Sequence, residues 1–336
     1  MTEILPWQHK ILEHLTGLRD QAQLPHALLF SGMSGIGKQQ FAHVFAQAVL
    51  CQQPVTGGTA CGTCASCKLF IAGSHPDFSE LTVLEDKKYI NIDQVRMLSE
   101  KLSLKSHFQG YKVVVLGPAE RMNRSSANSL LKTLEEPAGP TLIMLVTDRA
   151  GYLLPTIRSR CQTVSFPRPD EPVALEWLQS TLSAEDLQQH KAREYLDLAQ
   201  GAPLRALALA KGKLADKRQF FINQLNELLD GQQDAITAAK PWKKEDVPNN
   251  LNWMMGWVSD MLRLKFAPNS PLSYNKDIMH ILQGLALRTN ASDLFKYLDR
   301  LSHSARMSEG QINQQLLLED ALICWSRLFS KQARTH

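Results

Sequence analysis

Residues 25–40 read PHALLFSGMSGIGKQQ. Ala27 to Phe30 is an apolar run of buried-strand character, a glycine-rich turn follows, and a helix is predicted to start at Gly37 or Lys38. Gly32, Gly37 and Lys38 stand at the G-x-x-x-x-G-K spacing of a phosphate-binding loop, with Gly35 as a further flexible point. In such loops glycines let successive backbone N–H groups turn toward one centre. The helix N-terminus adds partial positive charge, and the lysine reaches the outer phosphates. The position after the lysine calls for Ser or Thr, whose hydroxyl ligates magnesium, and here it is Gln39. The run therefore reads as a phosphate cradle without its metal handle, against the simpler reading of a glycine turn with no ligand.

Around this loop the composition is that of a globular protein. A length of 336 residues predicts two or three domains, and 44% apolar with 21% charged residues provides for real cores. The balance of 37 basic against 33 acidic residues excludes a strongly cationic DNA coat while leaving room for a local basic surface. No apolar run approaches the roughly 18 residues a membrane span requires. Met1 to Trp7 has neither the basic nor the apolar region of a signal peptide, so a cytoplasmic chain with no membrane partner is expected.

Four of the six cysteines fall in CQQPVTGGTACGTCASCKLF, where Cys51, Cys61, Cys64 and Cys67 have nine, two and two residues between them. Three close thiolates plus one from the end of the preceding helix make a tetrahedral four-sulfur site that suits zinc. The same run could instead hold an iron–sulfur cluster, for which a companion CP motif is lacking, a catalytic thiol, or buried cysteines with no ligand. His75 could replace one ligand, although HPDF reads as the entry to a strand. A closed four-thiolate site leaves no position for substrate, so its expected job is to staple the loop.

Further along, Tyr89 to Ile92 reads as extended, and Asp93 as the cap of a helix carrying Val95, Leu98 and Leu102. KVVVL, Lys112 to Leu116, is a buried-type strand. In phosphate-loop ATPases such a strand ends in acidic residues that hold magnesium, but here Gly117 and Pro118 follow, and Glu120 should point elsewhere. Two metal-handling positions, Gln39 and Gly117, thus lack the necessary oxygen. Asn123 or Ser125 can cap a helix with Ala127, Leu130, Leu131 and Leu134 on one face, ended by Pro137. Thr141 to Thr147 is another buried strand, and Arg158 and Arg160 then alternate in a segment read as extended. Pro167, Pro169 and Pro172 mark a boundary, beyond which Val173 to Leu182 and Lys191 to Gln200 read as helices. The remainder is helical in pattern, with Met254, Trp257, Val258, Met261 and Leu262 on one stripe and Leu317, Ala321, Cys324 and Leu328 on another. Residues 231–250 read as loop and helix ends.

Taken in order, PHALLFSG, GIGK, the four-cysteine insert, HPDF, KVVVL, ANSLLKTLEEP and IRSRCQ resemble the bacterial clamp loader branch of the AAA+ ATPases, densely over residues 1–166. The resemblance implies an α/β AAA+ phosphate-loop module with a parallel sheet and zinc insert at 1–166. A small helical lid at 167–210 and an all-helical collar at 211–336 are expected to follow. Ser159, Arg160 and Cys161 match the family's Ser-Arg-Cys motif, whose arginine enters the nucleotide site of the adjacent subunit. A guanidinium suits that task because it stays charged and presents a planar fork of donors. Thr147 matches the first sensor and Arg205, in GAPLRAL, the second, so ATP or ADP could still be held passively by Gly32, Gly35, Gly37 and Lys38. With both metal positions altered, the implied role is a non-hydrolysing subunit of the DNA polymerase III holoenzyme. Its expected partners are the gamma/tau and delta subunits and, through the complex, the sliding clamp and primed DNA. The rival readings are a working ATPase with Glu120 or water completing the metal shell, and a zinc-containing DNA-binding module.

Overall fold

A computed structural model describes residues 3–55, 57–85, 87–182, 191–212, 214–267, 275–308 and 312–329. Five parallel strands form one sheet: β1 (Ala27–Ser31), β2 (Phe78–Leu81), β3 (Lys112–Leu116), β4 (Thr141–Thr147) and β5 (Gln162–Ser165), in the order β2-β3-β4-β1-β5. Every residue of β3 and β4 is buried, as expected of central strands covered on both faces. Ser31 pairs in register with Thr147 on one side and Ser165 on the other, so the loop after β1 starts level with the ends of β4 and β5. That carboxyl edge is where ligands of open α/β sheets bind.

The helix Lys38–Leu50 buries Phe41, Ala42 and Phe45 against the sheet side. Its Phe41 ring lies 5.6 Å from Phe30 and 5.1 Å from Phe166, edge-on to both. The helix Ile92–Ser103 starts earlier than the sequence suggested, because Asn91 and not Asp93 caps it. The Asn91 carboxamide accepts from the Gln94 N–H and the Asn91 N–H donates back to the Gln94 side chain, a reciprocal box that outcompetes Asp93. Only Ile90 of the expected extended piece pairs, as an isolated bridge to Met122. Asn123 caps the helix Arg124–Glu135, which buries Ala127, Leu130 and Leu134. The segment around Arg158 is not extended: Pro155 opens a short helix, Pro155–Arg158, and a turn carries Arg160 before β5 begins.

Just before β2, Asp77 accepts from the His107 N–H at 2.8 Å, the Phe108 N–H at 3.0 Å and the Ser106 hydroxyl at 3.2 Å. Burial would raise its pKa, but these donors hold it below the usual carboxylate value. A depressed carboxylate contributes stability that is present above its unfolded pKa and lost as pH falls through the folded one. Chemical unfolding of Asp77→Asn at neutral and at acid pH should therefore show a lower starting stability and a shallower loss on acidification than the parent. Equal losses would remove Asp77 from the account.

Residues 1–180 and 201–205 form one compact unit, and 181–200 with 206–336 a second. The second unit is helical, with a core around Phe221, Met254, Trp257, Met261 and Trp325. All five residues of the first stripe are buried in the helix Val247–Phe266. The helix Gln314–Phe329 is turned relative to expectation: Leu318, Leu322, Trp325 and Phe329 face inward with Leu317 and Ala321, while Cys324 and Leu328 are half-buried. Trp325 and Phe329 explain the rotation, since their rings pack 4.6 Å apart and bury more apolar area than a cysteine and a leucine. Residues 231–250 contain the helix Ala235–Ala239, capped by Asp234, and the start of Val247–Phe266. No helix among the described residues is long and apolar enough to cross a membrane.

Candidate functional site

At the carboxyl edge of the sheet a cleft of about 580 Å³ is lined by the glycine loop, Gln39, Glu80, Gly117, Asp148 and Leu204. Gly35 and Gly37 have φ of +80° and +86°, which only glycine adopts freely, and Lys38 opens the following helix. At Gly32 the need is space, because a Cβ there would sit 2.4 Å from the Phe166 carbonyl oxygen. The Lys38 ammonium is nearly fully buried and donates to the carbonyls of Gly32 and Met33, each at 2.7 Å, and to Asp148 Oδ1 at 2.6 Å. Three further residues hold the loop from outside. Trp7 Nε1 donates to the Ile36 carbonyl at 3.0 Å, Gln8 Nε2 to those of Ile36 and Gly37 at 3.1 and 3.0 Å, and the Leu204 N–H to that of Gly35 at 3.0 Å. Neither Trp7 nor Gln8 carries a signal in the sequence. Asp148 carries a weak one, as an acid directly after Thr147 at a strand end.

Gln39 and Gly117, the two positions read from the sequence as lacking a metal ligand, are in contact. Gln39 Nε2 donates to Glu80 Oε1 at 3.0 Å, and His43 Nε2 lies 2.8 Å from the same oxygen. The His43 contact, with Gln39 in support, holds the Glu80 carboxyl below its ordinary pKa. Gln39 Oε1 lies only 2.6 Å from the place a Cβ on residue 117 would occupy. Gln39 and Gly117 are thus one steric unit: the long carboxamide takes the room that an acidic side chain after β3 would need. Glu120 points elsewhere, as expected. Its carboxylate accepts from the Thr147 hydroxyl at 2.7 Å and the Asp148 N–H at 3.3 Å, and it lines a separate cleft of about 260 Å³ beside Tyr152, Leu154 and Ile157.

Of the sequence-derived nucleotide residues, the fold gathers Gly32, Gly35, Gly37 and Lys38 in one loop and sets Thr147 beside Glu120. Arg205 packs its Cβ against Gly35, where an added Cβ would come within 2.8 Å, and burial draws its pKa below the ordinary guanidinium value. Arg160 stands apart from this cleft, about one-third exposed. Its Nε donates to Glu135 Oε1 at 2.7 Å, a second guanidinium nitrogen reaches the same carboxylate, and NH1 donates to the Thr156 carbonyl at 3.0 Å. Sequence reasoning missed Glu135, although it lies inside LLKTLEEP. Arg158 is exposed, and Cys161 is a buried thiol raised to about 11 by desolvation.

The four cysteines of the insert converge. The sulfurs of Cys51, Cys61, Cys64 and Cys67 all lie within 4.8 Å of one another, with Cys61 and Cys67 at 3.9 Å. Tetrahedral zinc with bonds near 2.3 Å requires sulfurs about 3.8 Å apart, so the donor set fits a four-thiolate ion. Backbone N–H groups of Cys61, Cys64 and Cys67 point at the sulfurs of Cys51, Cys61 and Cys64 at 3.3–3.4 Å, the arrangement that supports thiolates. The Thr63 and Cys64 N–H groups and the Thr63 hydroxyl lower the Cys61 thiol to about 6. His75 is not a ligand. Its Nδ1 accepts from the Asp77 N–H at 3.1 Å, so Nε2 carries the proton and donates to Ser66 Oγ at 2.9 Å, whose hydroxyl in turn bonds the Leu50 carbonyl.

Residues 7–170 match the family model described as DNA polymerase III, delta subunit, and 213–327 match DNA polymerase III, delta subunit, C terminal. Over 330 residues the chain is 35% identical to DNA polymerase III subunit delta' of Pseudomonas aeruginosa, covering 98% of this chain and 99% of that protein. The chain belongs to the DNA polymerase III delta prime family. The delta prime subunit of Escherichia coli K12 is 32% identical over 321 residues, 95% of this chain and 94% of that one. A tau/gamma subunit, from Haemophilus influenzae, is 30% identical over 230 residues, 68% of this chain and 33% of that protein. Among solved structures, a gamma subunit-related protein of Thermotoga maritima aligns with 95% of this chain and 99% of its own at 18% identity and a TM-score of 0.44. The family match thus covers the phosphate-loop unit and most of the remainder of the chain, in agreement with the resemblance read from its motifs.

Proposed function

We propose that this chain is a non-hydrolysing subunit of the DNA polymerase III clamp loader. It offers Arg160 to the ATP of a neighbouring gamma or tau subunit, and with the delta subunit it completes the assembly that places the sliding clamp on primed DNA. One zinc ion on Cys51, Cys61, Cys64 and Cys67 staples the insert. In this reading residues 1–166 are a nucleotide-binding-like domain, 167–210 its lid and 211–336 the collar that joins the other subunits.

The observation that carries the reading is the Gln39 carboxamide packed into the space beside Gly117 and bonded to Glu80. Magnesium needs oxygen ligands in near-octahedral order, and a hydroxyl after the loop lysine with an acid after β3 normally provides the protein's share. Neither is present, and the Gln39 amide that stands there is fixed through its nitrogen to Glu80. In this reading the chain's catalytic contribution is the Arg160 guanidinium, which stands apart from its own loop.

The isolated chain should accordingly show no magnesium-dependent ATP turnover. The paired change Gln39→Thr with Gly117→Asp should raise turnover only if Lys38 is retained, because the two positions fail together. Turnover by the unaltered chain that disappears in Lys38→Ala would overturn the reading in favour of a working motor.

A further inference from the structure

We infer that Asp148 is an intramolecular stand-in for phosphate, which keeps the loop lysine neutralised so that the loop stays ordered without a nucleotide. The inference deepens the non-hydrolysing reading but rests on a different contact. Lys38 has three N–H donors, and the structure uses all three: two on loop carbonyls and one, at 2.6 Å, on Asp148. In an open phosphate loop the lysine's charge is matched by the ligand. A buried ammonium with no anion is costly, because desolvation disfavours the charged form and carbonyl dipoles alone offset it poorly. Here the matching anion comes from the chain itself, at the position after β4. The Lys38 side chain is 3% exposed, whereas the Asp148 side chain is 38% exposed, so the carboxylate closes the lysine's outer end and faces the cleft that a phosphate chain would enter.

Asp148 is itself held in place. Its N–H donates to Glu120 Oε1 at 3.3 Å, the other Glu120 oxygen accepts from the Thr147 hydroxyl at 2.7 Å, and the Arg149 N–H donates to Thr147 Oγ1 at 3.0 Å. The sensor threonine, which in a motor would read a nucleotide, instead fixes the turn that presents Asp148. The latent ligand class is a small polyphosphate that needs no metal, since the charge it must satisfy is that of the ammonium and the loop N–H groups. Asp148 competes with such a ligand for Lys38, and the affinity of the loop is set by whether the carboxylate is there.

The test uses inorganic pyrophosphate and the full chain without magnesium, measured by calorimetry and thermal melting. Asp148→Asn keeps the shape and removes the charge. It should bind pyrophosphate on the order of tenfold or more tightly than the parent, melt lower without ligand, and recover on adding it. Asp148→Asn combined with Lys38→Met should lose that binding and that recovery. If Asp148→Asn fails to fold, Asp148→Ser with the same readouts takes its place. Binding by the parent equal to that by the Asp148 variant, or binding that survives loss of Lys38, would overturn the inference. Neither result touches the Arg160 assignment, and absent ATP turnover in every variant would leave the non-hydrolysing reading standing whichever way pyrophosphate behaves.

Discussion

Arg160→Ala, reconstituted with its partner subunits, is expected to lower ATP turnover at the one neighbouring site it serves by on the order of 10³, and the total rate of the complex by that site's share, while assembly persists. The size follows from the proposed role: a guanidinium that reaches a transferring phosphoryl group neutralises charge that develops in the transition state, so its loss falls on turnover more than on binding. Arg160 is preferred to Arg158 because it stands inside the Ser159 to Cys161 motif. Arg160 lies at the end of a turn fixed by the helix Pro155–Arg158, and Glu135 holds its guanidinium in a forked pair that keeps it aligned at the surface. That pair is about half exposed on the Glu135 side, so a phosphate can displace it at small cost. Arg158→Ala should leave turnover near the parental value. Lysine at position 160 retains the charge but not the planar fork, so Arg160→Lys should recover only part of the activity. Unchanged turnover in Arg160→Ala, measured on complexes of verified composition, would refute the assignment.

Purified protein should contain about one equivalent of zinc, and Cys64→Ser or strong chelation should remove it and unfold the insert. Structural zinc in isolated finger peptides contributes about 10–16 kcal/mol of apparent binding free energy at neutral pH, and most of that appears as folding free energy. In this chain the consequence should stay local, because the insert shares the Ser66, His75 and Leu50 contacts with the unit, while β1 to β4 and their helices have an apolar core of their own. Protease cleavage within residues 51–67 should become rapid on chelation, with the rest of the first unit resistant at first. Equal protease resistance with and without metal, or a purified protein free of zinc, would remove the staple.

Much of this site was legible from residues alone because it is written in local chemistry. The spacing of Gly32, Gly37 and Lys38, the valine-rich β3, the four-cysteine run and the Ser159 to Cys161 motif each depend on neighbours within a few positions. Local pattern failed where two nearby groups competed for one role. Asn91 and Asp93 can each cap a helix, and only the reciprocal bond with Gln94 separates them. In the helix Gln314–Phe329 two overlapping stripes fit the period, and the bulk of Trp325 and Phe329 chose between them.

What the chain's order of residues determined was the family's motifs in their order: the glycine and lysine spacing of a phosphate loop, Gln39 and Gly117 where a hydroxyl and an acid are expected, a Ser-Arg-Cys run and four thiols at ligand spacing. It counted Gln39 and Gly117 as two independent losses, which their contact corrects, and it gave no partner for Lys38 or Arg160. Folding answered these by bringing together residues far apart in the chain, Lys38 with Asp148, Gln39 with Gly117 and Glu80, and Arg160 with Glu135. The reason is physical. Charge pairing and steric exclusion act over a few ångströms through space, and a parallel sheet sets the ends of strands that are distant in sequence at that separation.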